Sequence, residues 1–165
     1  MAPAAAPAML SSSNPEHVRE TCQTYGISEG EFGELLARVT AAKATAYCPY
    51  SKFRVGAVLL TRGGVFVSGA NVENASYPVT TCAERVAFGK AITDGHRGFR
   101  AIAVATDISP PASPCGMCRQ CIREFCDLET PIIMFDGDSN FSVMRLEELL
   151  PLSFGPEALG VQSQA

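Results

Sequence analysis

Thr81-Cys82-Ala83-Glu84-Arg85 and, further along, Pro114-Cys115-Gly116-Met117-Cys118-Arg119-Gln120 decide how this chain is read. Three thiolates can hold one Zn²⁺ and leave its fourth position open, which separates a catalytic zinc from a closed structural one. A carboxylate two residues after the first thiolate, Glu84, can then reach a water at that open position without ligating the metal. The candidate ligands are therefore Cys82, Cys115 and Cys118.

A lone C-x-x-C also serves redox dithiols and zinc knuckles. A redox dithiol leaves the Cys-Ala-Glu-Arg segment unexplained, and a closed zinc site would supply a fourth Cys or His at ligand spacing. Both histidines, His17 and His96, lie outside the motifs. Cys121 continues the three-residue steps of Cys115 and Cys118, but six residues of helix carry it about 9 Å along the axis. It is assigned to packing.

The elements around the motifs follow from patterning. Asn14-Pro15 can start a short helix through residue 25, and Ser28-Glu29-Gly30-Glu31 has capping-box spacing for a stronger helix reaching about residue 47. Residues 53–60 and 65–70 flank Arg62-Gly63-Gly64 as a hairpin. A helix is expected over 82–93, a buried strand over 100–106, and a helix over 115–125 after the rigid Pro110-Pro111-Ala112-Ser113-Pro114. Strands over 131–135 and 141–145 precede a last short helix at 147–150. Helices alternating with strands imply an α/β protein, and the hairpin makes its sheet mixed. Cys82 and Cys115 both fall at helix starts, where the dipole and free N–H groups favour thiolate.

Composition narrows the function classes. With 165 residues, 47% of them hydrophobic, the chain can bury a substantial core. A formal net charge of −4 argues against a polynucleotide partner, whose phosphates would call for a basic face. Seven cysteines, an odd number with three claimed by metal, suit reduced thiols in a reducing, cytoplasmic setting. The Ala/Pro-rich start lacks a basic n-region and reads as a flexible tail, and no apolar run approaches a membrane span.

Together the motifs resemble the zinc-dependent cytidine deaminases, specifically the small homotetrameric three-cysteine class. The resemblance runs from Ile27 to Glu157. It divides the chain into a tail with a possible short helix (1–26), a deaminase domain (27–157) and a C-terminal tail (158–165). It implies a three-layer α/β/α fold with a mixed five-stranded sheet, one Zn²⁺ per subunit, and hydrolytic deamination of cytidine and 2′-deoxycytidine. Glu84 would shuttle a proton from water to N3 of the pyrimidine and on to the leaving amine. Arg85 would hydrogen-bond ligand sulfurs, offsetting the net negative charge of three thiolates on one Zn²⁺; Arg119, directly after Cys118, is either a second such cation or a solvated one.

Substrate residues come from the same resemblance. In Asn71-Val72-Glu73-Asn74-Ala75-Ser76-Tyr77-Pro78, Asn71 and Glu73 would hold ribose hydroxyls or the base edge, with Asn74 and Tyr77 completing the pocket beside Ala83. Phe53, in Tyr47-Cys48-Pro49-Tyr50-Ser51-Lys52-Phe53-Arg54-Val55-Gly56, would pack against the pyrimidine. Phe154, in Ser153-Phe154-Gly155-Pro156, would reach a neighbouring subunit's active site. The chain departs from the pattern at Val79-Thr80-Thr81, where relatives often carry Gly or Cys. A blasticidin S deaminase shares the cysteine motifs but matches the 71–77 loop and Phe53 less well. A deoxycytidylate deaminase would more often present His as first ligand and basic groups for phosphate. A structural zinc module leaves Glu84 without a role.

Overall fold

Two capped helices open the fold. The computed structural model describes residues 8–161. The Asn14 side chain accepts the Glu16 N–H at 2.9 Å and starts α1 (Pro15–Tyr25), with Pro15 in the first turn where a missing N–H costs nothing. Ser28 and Glu31 close the capping box: the Ser28 hydroxyl accepts the Glu31 N–H at 3.1 Å, and the Glu31 carboxylate accepts the Ser28 N–H at 2.8 Å. The resulting α2 (Glu29–Lys43) buries Phe32, Leu35, Val39 and Ala42. It stops short of the expected residue 47 because the Tyr47 N–H goes to the Asn71 carbonyl at 3.0 Å, drawing the chain toward the loop after the hairpin.

The sheet contains β1 (Leu10–Ser11), β2 (Gly56–Thr61), β3 (Phe66–Ala70), β4 (Phe99–Ala105), β5 (Pro131–Phe135) and β6 (Asn140–Arg145), in the order β1-β6-β5-β4-β2-β3. Only β4 and β5 are parallel; the hairpin pairs Gly56 with Ala70 through to Leu60 with Phe66. Six strands replace the five expected. The addition is β1, whose Leu10 and Ser11 pair with Phe141 and Asn140. Two residues are too short to show a strand period, so the pairing is set by the partner strand and not by local pattern.

Helices cover both faces. Val58, Leu60, Ala103 and Ile133 pack on Phe32, Leu35 and Val39 of α2. Leu59, Ile102, Val104 and Ile132 pack on the other side against α3 (Ala83–Thr93) and α4 (Gly116–Phe125) through Ala87, Phe88 and Ile122. A short α5 (Leu146–Leu149) joins this layer through Leu146 and Leu149. Burial on both faces explains why β2 reads as a continuous apolar run. Gly69 brings α3 close: a Cβ there would sit 2.5 Å from the Ala87 nitrogen and 2.6 Å from the Ala83 carbonyl oxygen. With no side chain between them, β3 carries α3, and hence Cys82 and Glu84, at fixed height. No helix among the described residues is long and apolar enough to cross a membrane.

Candidate active site

Cys82 is the N-cap of α3 and Cys115 the N-cap of α4, both in extended backbone. Cys118 lies one turn into α4 and is buried. The two helix starts converge so that the three sulfurs lie within 4.8 Å of one another, with Cys82 Sγ and Cys115 Sγ 3.9 Å apart. Sulfurs each about 2.3 Å from a tetrahedral zinc lie about 3.8 Å apart, so the donor set and spacing fit that ion. Cys121 stands outside the cluster and packs on the core beneath α3 and α4.

The local field favours thiolate at Cys82. Cys82 is pulled down to about 5, chiefly by its hydrogen bond with Cys118, with Arg85 and Cys115 adding to it against burial. The same shared proton, together with burial, pushes Cys118 up. A metal ion takes the place of that proton, so binding at this cluster weakens as pH falls. Arg85 donates to the Thr80 carbonyl at 3.0 Å and points at the Cys82 sulfur at 3.7 Å. Arg119 meets no sulfur. Its guanidinium donates to the Pro114 carbonyl at 2.8 Å, the Leu149 carbonyl at 2.7 Å and the Ser113 hydroxyl at 2.9 Å, clamping the approach to Cys115 instead of standing free in solvent.

Glu84, in the first turn of α3, is only 3% exposed. Burial pushes its carboxyl up, and the charge on Cys82 adds to the effect, while its own N–H, Cys118 and Arg85 oppose it. A buried carboxyl raised in this way suits proton transfer near neutrality.

Glu84, Cys82 and Cys115 form one wall of a cleft of about 430 Å³ at the carboxyl end of β4, the place where open α/β sheets receive ligands. Phe53, Asn71 and Glu73 line the same cleft. Asn71 is 8% exposed and braces the loop before β2: its Oδ1 accepts the Val55 N–H and its Nδ2 donates to the Phe53 carbonyl, both at 2.9 Å. One amide hydrogen and one lone pair of that side chain remain for a ligand. The Glu73 carboxylate accepts the Tyr50 N–H at 2.8 Å and the Ser51 N–H at 3.2 Å; the Ser51 hydroxyl first, and then these two N–H groups, hold it below the usual carboxylate range against desolvation.

Other candidates stand apart from the cleft. Ala83 is buried in the core. Asn74 folds on itself, its Oδ1 accepting the Ser76 N–H at 2.8 Å. Tyr77 is 70% exposed with its ring 5.9 Å from that of Tyr50, and Phe154 is 58% exposed. Conversely, Thr80, Thr106, Ala112 and Ser113 line the cleft without having been singled out. Thr106 was findable from strand period, since it lies two residues beyond Val104 and so on the same face of the sheet. Ser113 directly precedes the Pro114-Cys115 motif.

The family model for the cytidine and deoxycytidylate deaminase zinc-binding region matches residues 32–134. A cytidine deaminase of Sporosarcina psychrophila is 44% identical over 131 residues, covering 79% of this chain and 96% of that one. The crystal structure of cytidine deaminase from Burkholderia pseudomallei superposes with a TM-score of 0.72 at 40% identity, over 74% of this chain and 98% of the other. That from Mycobacterium tuberculosis gives 0.64 at 37%, over 75% and 97%. A match spanning more than half the chain, joined to relatives aligned over nearly their whole length, leaves one assignment: the chain belongs to the cytidine and deoxycytidylate deaminase family.

Proposed function

We propose that this protein hydrolytically deaminates cytidine and 2′-deoxycytidine, consuming water and releasing ammonia with uridine or 2′-deoxyuridine. The observation that carries this reading is the three-sulfur cluster beside a buried glutamate in one cleft. Cys82, Cys115 and Cys118 would hold one Zn²⁺, which when bound acidifies a water and so supplies the nucleophile at neutral pH. Glu84 would take one proton from the attacking water and give it to the ring nitrogen N3, then take the proton remaining on the added oxygen and hand it to the amine, which departs as ammonia while the C4 carbonyl forms. Its burial keeps bulk water from competing for those protons. Arg85 offsets the negative charge gathered on the sulfurs.

Phe53 gives the pyrimidine an apolar face, while Asn71 and Glu73, pinned by backbone contacts, offer polar atoms to sugar hydroxyls at little further ordering cost. Among the described residues no lysine or arginine lines the cleft; nearby Arg54 is committed to Asp107 at 2.8 Å. The carboxylate of Glu73 and the lack of a cation favour a nucleoside over a nucleotide. Asn74, Tyr77 and Phe154 act at the rim, Phe154 in the cleft of a neighbouring subunit of a homotetramer. Seven free cysteines suit a reducing, cytoplasmic setting. The test is ultraviolet loss of cytidine, run beside cytidylate and blasticidin S. Turnover should be greatest on cytidine, and preference for either alternative would overturn the assignment.

A further inference from the structure

Arg123, near the end of α4, is 6% exposed although it carries a full charge. A cation placed near a helix C-terminus to complement the dipole would normally stay in water. This one turns inward. Its Nε donates to the Ser153 hydroxyl at 3.0 Å, and its guanidinium pairs with the Glu157 carboxylate. Between those two partners lies Gly155, whose backbone rests on the guanidinium: a Cβ there would come within 2.2 Å of Nη2 and 2.3 Å of Cζ. Gly155 has φ −129°, which any residue adopts, so the glycine is there for close approach and not for an unusual conformation. One turn earlier on the same helix, Gln120 donates from Nε2 to the Phe154 carbonyl at 2.9 Å. Among the described residues, every polar contact that these two α4 side chains make reaches the segment 153–157.

Burying a guanidinium is costly unless its partners are in place, and an apolar residue would fill the same volume at lower cost. The contacts therefore point to a task for the charge. We infer that Arg123, assisted by Gln120, is a positioning residue for Phe154. It fastens the C-terminal segment to α4, the helix that carries Cys118, so that the exposed ring is held at a set distance from the metal end of its own subunit while projecting outward. This inference rests on the proposed role of Phe154 in binding the pyrimidine.

The experiment compares Arg123→Met, Phe154→Ala and the double variant, all as purified zinc-loaded oligomers. If the latch acts through Phe154, Arg123→Met raises KM for cytidine by about five-fold or more, the lower range of a lost base–aromatic contact, with kcat and zinc content near normal. In the Phe154→Ala background the same change then adds nothing. Unchanged KM, or a rise that persists undiminished without the ring, overturns the inference. Should Arg123→Met not fold, Glu157→Gln combined with the exposed change Gln120→Met carries the same comparison. Phe154→Ala with normal KM would refute the role of Phe154 itself. Phe154→Ala with raised KM beside latch variants that bind normally would refute the latch alone.

Discussion

Cys82, Cys115, Cys118 and Glu84 all hang from the first turns of α3 and α4 beside the cleft, whereas Asn74, Tyr77 and Phe154, the proposed rim, are exposed and lie outside its lining. The inner groups are fixed by elements that are themselves packed: Gly69 lets α3 lie against β3, and Arg119 ties the start of α4 to the end of α5. The rim residues have few such restraints, Phe154 excepted through the latch to α4. The difference separates two tasks. Chemistry needs groups held to within a fraction of an ångström, while admission and recognition of a ligand tolerate looser, exposed surfaces.

Removing a sulfur should break the inner end outright. Cys118→Ser is expected to lose zinc and abolish deamination, whereas Cys121→Ala keeps a full zinc complement; metal analysis of both purified proteins checks the pair. Zinc loss in Cys121→Ala would show that the ligand set extends beyond the cluster.

The rim should yield more gently. Phe154→Ala is expected to raise KM by about five-fold or more and to leave zinc in place. Mixing it with Glu84→Gln subunits and allowing exchange sharpens the comparison: a Phe154→Ala site then receives an intact ring from its neighbour and activity exceeds the average of the unmixed variants. Activity equal to that average after verified exchange would place the ring in its own subunit's cleft.

The smallest effect should come from a region remote from both. Ser28→Ala removes the capping-box acceptor of α2 and is expected to cost about 1 kcal/mol of stability, read by chemical denaturation, with kinetics unchanged. A change in KM there would mean that α2 communicates with the cleft through Tyr47 and Asn71.

Most of the fold was legible because its signals are local. Asn14, Ser28 and the two cysteine N-caps mark four helix starts, and Arg62-Gly63-Gly64 marks the hairpin. Strand β1 was not legible, since two residues gain their conformation only from Phe141 and Asn140 across the sheet. The site divides in the same way. The cysteine cluster could be placed from helix geometry, but the bracing of residues 53–55 by Asn71, the tie from Arg119 to Leu149 and the inward turn of Arg123 depend on partners 16 to 34 positions away. No spacing rule reports contacts of that kind.

The central claim is that Glu84 moves the proton while the cysteines alone hold the metal. Zinc content, cytidine binding and turnover measured on one preparation of Glu84→Gln test it most directly, because glutamine keeps the shape and loses only the titratable oxygen. The account predicts about one zinc per chain, near-normal affinity, and turnover lowered by at least about 10²–10⁴-fold. Near-normal turnover with zinc in place would contradict it.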